Sequence, residues 1–129
     1  MNVFAFEVSV KGTDWARVVN ARTRGAAKAD YHRDVAESWP DIPFTAIQCR
    51  KLGAPRSSED FIRVATKRGL PAMRCGDRVR VGDATGVIVG HNSSANFDVL
   101  FDDGGRYAGQ VLNVHPASVA PTGDQQEKP

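Results

Sequence analysis

The feature that most constrains the fold is a dense series of short, glycine-bounded β segments between Gly76 and Val119. Val79 and Val81 alternate with Arg78 and Arg80, and Gly82-Asp83 turns the chain. Gly86-Val87-Ile88-Val89-Gly90 is an apolar run with glycine at both ends, followed by the loop Asn92-Ser93-Ser94. Phe97, Val99 and Phe101 recur with the period of two that marks a half-buried strand. Asp102-Asp103-Gly104-Gly105 reads as a hairpin turn, because glycine reaches positive φ at little cost. A further strand from Tyr107 to Val114, broken at Gly109, leads through one 3₁₀ turn at His115–Ser118 to a last short strand at Val119. Four or five short strands in about 45 residues, joined by tight turns, predict a small closed antiparallel barrel, since closure removes exposed sheet edges. The glycines fall where such strands must bend.

The part before Gly76 has a different texture. Phe4, Phe6, Val8 and Val10 alternate with Ala5, Glu7 and Ser9, and Lys11–Asp14 is turn material. With Trp15–Ala21 this predicts a β-hairpin. Thr23 is placed to cap a helix starting near Arg24, and Ala27, Tyr31, Val35 and Trp39 form one stripe along it. Pro40 stops that helix. Ile47 and Cys49 alternate with Gln48 and Arg50 as a third strand. Ser57 and Asp60 have capping-box spacing before a second helix with Phe61, Val64 and Ala65 as its apolar stripe; Gly69 and Pro71 end it. The expected architecture is α+β: an N-terminal hairpin, helix, strand and helix lobe over residues 1–72, the barrel over 73–120, and a disordered polar tail over 121–129.

Composition narrows the function classes. No run of about 18 apolar residues occurs, so no membrane partner is expected. The N-terminus lacks a basic segment followed by an apolar one, which predicts a cytoplasmic protein and makes reduced thiols of Cys49 and Cys75. His32, His91, His115, Cys49 and Cys75 show no paired metal-ligand spacing. No nucleophile, base and stabiliser can be assembled, and no phosphate-cradling glycine motif is present. The expectation is a binding protein without enzymatic activity, metal or cofactor.

Charge and exposed aromatics point to the surface used. Residues 1–72 carry 12 Lys+Arg against 8 Asp+Glu, a net of +4; residues 73–129 carry 5 against 7, a net of −2. Arg22, Arg24 and Lys28 cluster near the first helix, and Arg50 and Lys51 lie on the third strand. Such cations serve phosphate contacts, although interleaved carboxylates favour a mixed solvated surface. Trp15, beside the first turn, and Tyr107, beside the hairpin glycines, are the aromatics expected to be exposed as partner anchors.

Gly76-Asp77-Arg78-Val79-Arg80-Val81 followed by Gly86-Val87-Ile88-Val89-Gly90 resembles the opening hairpin of KOW-like and other SH3-like barrels. The stretches 92–102 and 111–116, with 21–28 and Pro43-Phe44-Thr45, resemble small accessory proteins of bacteriophages and prophages. The resemblance implies a phage-encoded protein, monomeric or homodimeric, in the host cytoplasm. It would bind a host protein or ribonucleoprotein complex, in its sharpest form as an anti-CRISPR-like inhibitor of host defence. The alternative is a module that binds DNA or RNA directly through its basic N-terminal lobe.

Overall fold

A computed structural model describes residues 2–122. The expected tail from 123 to 129 lies outside the described residues. Among the described residues the chain is α+β, with two α-helices and two antiparallel sheets, and it divides into two compact units, Asn2–Pro55 and the chain from Arg56 onward. No helix among the described residues is long and apolar enough to cross a membrane.

In the first unit, β1 (Phe4–Val10), β2 (Ala16–Ala21) and β3 (Ile47–Gly53) form a sheet in the order β2-β1-β3. The alternation in β1 puts Phe6, Val8 and Val10 on the face covered by α1 (Arg24–Ser38), where they pack with Val19, Ala27, Tyr31 and Val35. The β1–β2 turn is closed by Val10 O, which accepts from the Thr13 amide (3.1 Å) and hydroxyl (2.9 Å), with Gly12 at φ +79°. Thr23 Oγ1 accepts the Ala26 amide at 3.1 Å and starts α1. The helix ends at Trp39, whose own amide still reaches Val35 O. Trp39 has left helical geometry (φ −139°, ψ 78°), because a residue preceding proline is driven out of the α region.

The second unit begins earlier than the sequence predicts. Helix α2 (Glu59–Lys67) does not join the N-terminal sheet; it packs in the second core. Phe61 stacks on Phe97 at 5.3 Å, and Ala65 is fully buried. The break between units is the short turn around Gly53 and Pro55 rather than the segment near residue 72. With that boundary, Asn2–Pro55 carries 8 Lys+Arg against 6 Asp+Glu, and the remainder 9 against 9. Most of the expected charge asymmetry belongs to residues 56–72, where Arg56 and Arg68 flank a helix α2 that carries two charges of each sign. Ser58, not Ser57, caps this helix, accepting the Phe61 amide at 2.9 Å. Ser57 Oγ instead accepts the Cys75 amide at 2.8 Å.

Strands β4 (Arg78–Val81), β5 (Ala84–His91), β6 (Phe97–Phe101), β7 (Val111–Val114) and β8 (Ala120–Pro121) form an antiparallel sheet in the order β7-β6-β5-β4-β8. The sheet is open, not the closed barrel the sequence predicts, because β7 and β8 do not pair. The physical reason is length: β7 has four residues and β8 two, and Pro121 has no amide to donate. The strand predicted from Tyr107 is also shorter, since residues 102–110 form an irregular turn with Gly104 and Gly109 at positive φ. The 3₁₀ turn forms at Pro116–Ser118, and the chain continues as β8 with Thr122 buried. Gly86 is required by close approach: a Cβ there would lie 2.6 Å from Leu100 O.

Candidate docking surface

The first unit presents three exposed aromatics near the end where the β1–β2 turn meets α1's carboxyl end and β3's start. Trp15, Trp39 and Phe44 are 44%, 40% and 45% exposed. The placement follows from connectivity: β2 leaves this end, α1 returns to it, and the Lys11 amide ties the turn to Ala46 O at 2.9 Å. The Trp15 and Trp39 rings meet edge to face, 6.3 Å apart at 90°. Phe44 holds His32 at 5.5 Å and the Lys28 ammonium at 4.9 Å from its ring. His32 Nε2 contacts Ile42 O at 2.9 Å, which fixes the ring.

The predicted partner residues do not gather at one place. Trp15 is on this surface and Lys28 borders it through Phe44. Arg24, at the first turn of α1, donates from Nη1 to Cys49 O at 2.7 Å. Arg22 is exposed just before that helix. Arg50 and Lys51 are neighbours on β3 and therefore face opposite sides of the sheet. Arg50 pairs with Glu7 at 2.9 Å, while the Lys51 ammonium sits 3.7 Å from the centre of the Phe4 ring. Tyr107 belongs to the second unit, half-buried and tilted against Phe101 at 5.4 Å, with Arg106 5.4 Å from its own ring.

Sequence reasoning missed Trp39 and Phe44. Trp39 falls on the helical stripe and reads as core, but the Trp39-Pro40 pair was a signal, because the residue before proline leaves the helix and takes its ring with it. Phe44, in the 3₁₀ turn Phe44–Ala46, belongs to no periodic segment and gives no comparable signal.

Cys49, Tyr31 and Asp102 have displaced pKa values. Burial pushes the Cys49 thiol up against the opposing pull of Arg24 and Lys28, so it is a poor nucleophile at neutral pH. Burial likewise raises Tyr31, although Arg17, 5.5 Å from its ring, works the other way. In the second unit, the hydrogen bonds from Arg78 hold Asp102 below the ordinary carboxylate range, against the effect of burial; Thr85 adds to the lowering. Asp102 lines a cleft of about 230 Å³ with Asp83, Asp103 and Tyr107. Among the described residues, no three His, Cys, Asp or Glu side chains are grouped to hold a metal.

Compared with protein-family models, curated proteins and solved structures, the chain matches none.

Proposed function

We propose that the protein is a non-enzymatic binding protein that docks on a macromolecular partner through Trp15, Trp39 and Phe44. The observation that carries this reading is the exposed edge-to-face Trp15–Trp39 pair. Large aromatic rings held in one geometry lose little freedom when a partner covers them, and they dominate binding energy at interfaces. In the phage-accessory form of this reading, the partner is a host protein or ribonucleoprotein complex, and the outcome is inhibition of a host defence of the anti-CRISPR kind. The second unit serves as an SH3-like module on this view. Its strand order, with the last strand returning to pair with the first after a 3₁₀ turn, supports that comparison although the sheet is open.

The test compares capture from bacterial host lysate by the wild-type chain and by a Trp15→Ala/Trp39→Ala variant. A partner identified with the wild type should bind the variant at least about 30-fold more weakly, as removal of an interface hot spot requires. Equal affinity removes the reading.

Direct binding of DNA or RNA is a second reading, favoured by one observation. Arg22, Arg24 and Lys28 surround the positive end of α1, whose first turn carries no acidic residue. Against it, Arg24, Lys28, Arg50 and Lys51 all engage groups of their own chain. A low-salt mobility-shift assay decides: this reading requires a shift that weakens steeply with salt and is lost in Arg22→Ala/Arg24→Ala/Lys28→Ala.

A further inference from the structure

The six carboxylates of the first unit divide by position. Glu7 pairs with Arg50, and Asp30 and Asp34 pair with Arg17. Asp14, Glu37 and Asp41 are exposed and have no ion-pair partner among the described residues. Asp14 precedes Trp15 directly, and Glu37 and Asp41 each stand two residues from Trp39. Successive Cα atoms are about 3.8 Å apart, so the unpaired negative charge of this unit collects around the tryptophan pair. The cations close by offset it only in part. Arg17 is already held by Asp34 at 2.5 Å, and the β1–β2 turn adds the exposed Lys11.

The aromatic rings of the unit divide in the same way. Phe6 is buried in the core. Phe4, Tyr31 and Phe44 each carry a cation of their own chain: Lys51 at 3.7 Å from the ring centre, Arg17 at 5.5 Å and Lys28 at 4.9 Å. Trp15 and Trp39 carry none among the described residues, although indole attracts a cation more strongly than the other aromatic rings do. Their edge-to-face contact covers one ring face with the edge of the other ring and leaves further faces open to solvent. The two rings best suited to a cation are thus the two without one, and the carboxylates without a cation stand beside them.

We propose that the Trp15–Trp39 surface receives an arginine side chain from a basic segment of a partner protein. This rests on the docking reading above and names the chemistry of its partner. A guanidinium is planar and weakly hydrated, so it stacks on an indole face while its edge keeps N–H donors for carboxylates. Asp14, Glu37 and Asp41 supply the acceptors around that plane. The chain as a whole carries a net charge of +2, so a basic segment is drawn to this spot and not to the protein at large. A phosphate-bearing partner meets three carboxylates here and is opposed. A purely apolar partner strips those carboxylates of water without pairing them. A second copy docking through the same surface sets acid against acid.

The chain has 2 tryptophans and both belong to this surface, so intrinsic fluorescence reports on it alone. Titration of the full chain with an oligoarginine peptide should change that fluorescence saturably and less strongly as salt is added. Oligoglutamate and single-stranded oligothymidylate should leave it unchanged. Asp14→Asn/Glu37→Gln/Asp41→Asn keeps both rings and should bind oligoarginine about tenfold or more weakly. Lys11→Glu, which removes the opposing cation, should bind it about threefold more tightly, a gain that misfolding cannot produce. No saturable change with oligoarginine, an equal change with oligothymidylate, or a triple variant as tight as wild type each overturns the proposal. In any of these events, a lysate partner that is still lost from Trp15→Ala/Trp39→Ala keeps the docking reading and dismisses only its cationic occupant.

Discussion

Arg78 on β4 and Asp102 at the end of β6 form a two-pronged ion pair across the C-terminal sheet. Nη1 donates to Oδ1 at 3.0 Å and Nη2 to Oδ2, while Thr85 Oγ1 donates to the same Oδ2 at 2.6 Å. The Asp102 amide in turn donates to Thr85 O at 3.0 Å. One carboxylate thus joins β4, β5 and the turn after β6.

This pair makes stability depend on acid. Asp102 binds protons less readily folded than unfolded, so its contribution is complete above the ordinary carboxylate range. It is lost as pH falls through the lower folded value. Asp102→Asn should cost about 1–2 kcal/mol at neutral pH, as loss of charged hydrogen bonds at a partly buried site does. Urea titrations of wild type and variant should differ at pH 7 and converge at strongly acid pH.

Gly86→Ala should destabilise the second unit by about 1–3 kcal/mol, the usual cost of forcing atoms into a filled space. The new methyl meets Leu100 O at 2.6 Å and Val99 Cγ1 at 2.8 Å, and the backbone oxygen cannot swing away. Gly105→Ala, where nothing lies within 4 Å, is the control and should be nearly neutral. Thermal melts monitored by circular dichroism compare the two.

The adjacent serines before α2 should both matter, for different reasons. Ser58→Ala removes the helix cap and should cost about 1 kcal/mol. Ser57→Ala leaves the cap intact but strips the Cys75 amide of its acceptor, a loss of about 1–3 kcal/mol for a buried donor. Denaturant titrations of each single variant and of the double variant would show near-additive losses.

Trp39→Ala should weaken partner binding far more than folding. Its ring is exposed and its edge-to-face contact with Trp15 contributes about 0.5–1.5 kcal/mol beyond burial. A melting temperature that falls only slightly, alongside lost partner capture, is the expected outcome. A collapse of the fold would place Trp39 in the core instead.

The first unit was largely legible because its signals are local. Alternation over Phe4–Val10, the Thr23 cap and Pro40 each act within a few residues, and each element formed where they put it. The partner of α2 was not legible. Its stripe of Phe61, Val64 and Ala65 reports that the helix needs an apolar face to cover, without saying which one. Phe97 supplied that face from the second unit. The open sheet escaped for a similar reason: strand periodicity predicts β6 well, but whether β7 reaches β8 depends on the irregular turn at 102–110. For the surface, the exposure of Trp15 is legible from its place beside a turn, whereas Arg50 and Lys51 read as one basic pair that strand geometry separates.

Arg24 on Cys49 O acts as a stopper on one flank of the N-terminal sheet. An incoming strand that tried to extend the sheet beyond β3 would first have to evict the guanidinium from that oxygen, so the contact that steadies α1 against β3 also discourages uncontrolled strand addition on that side.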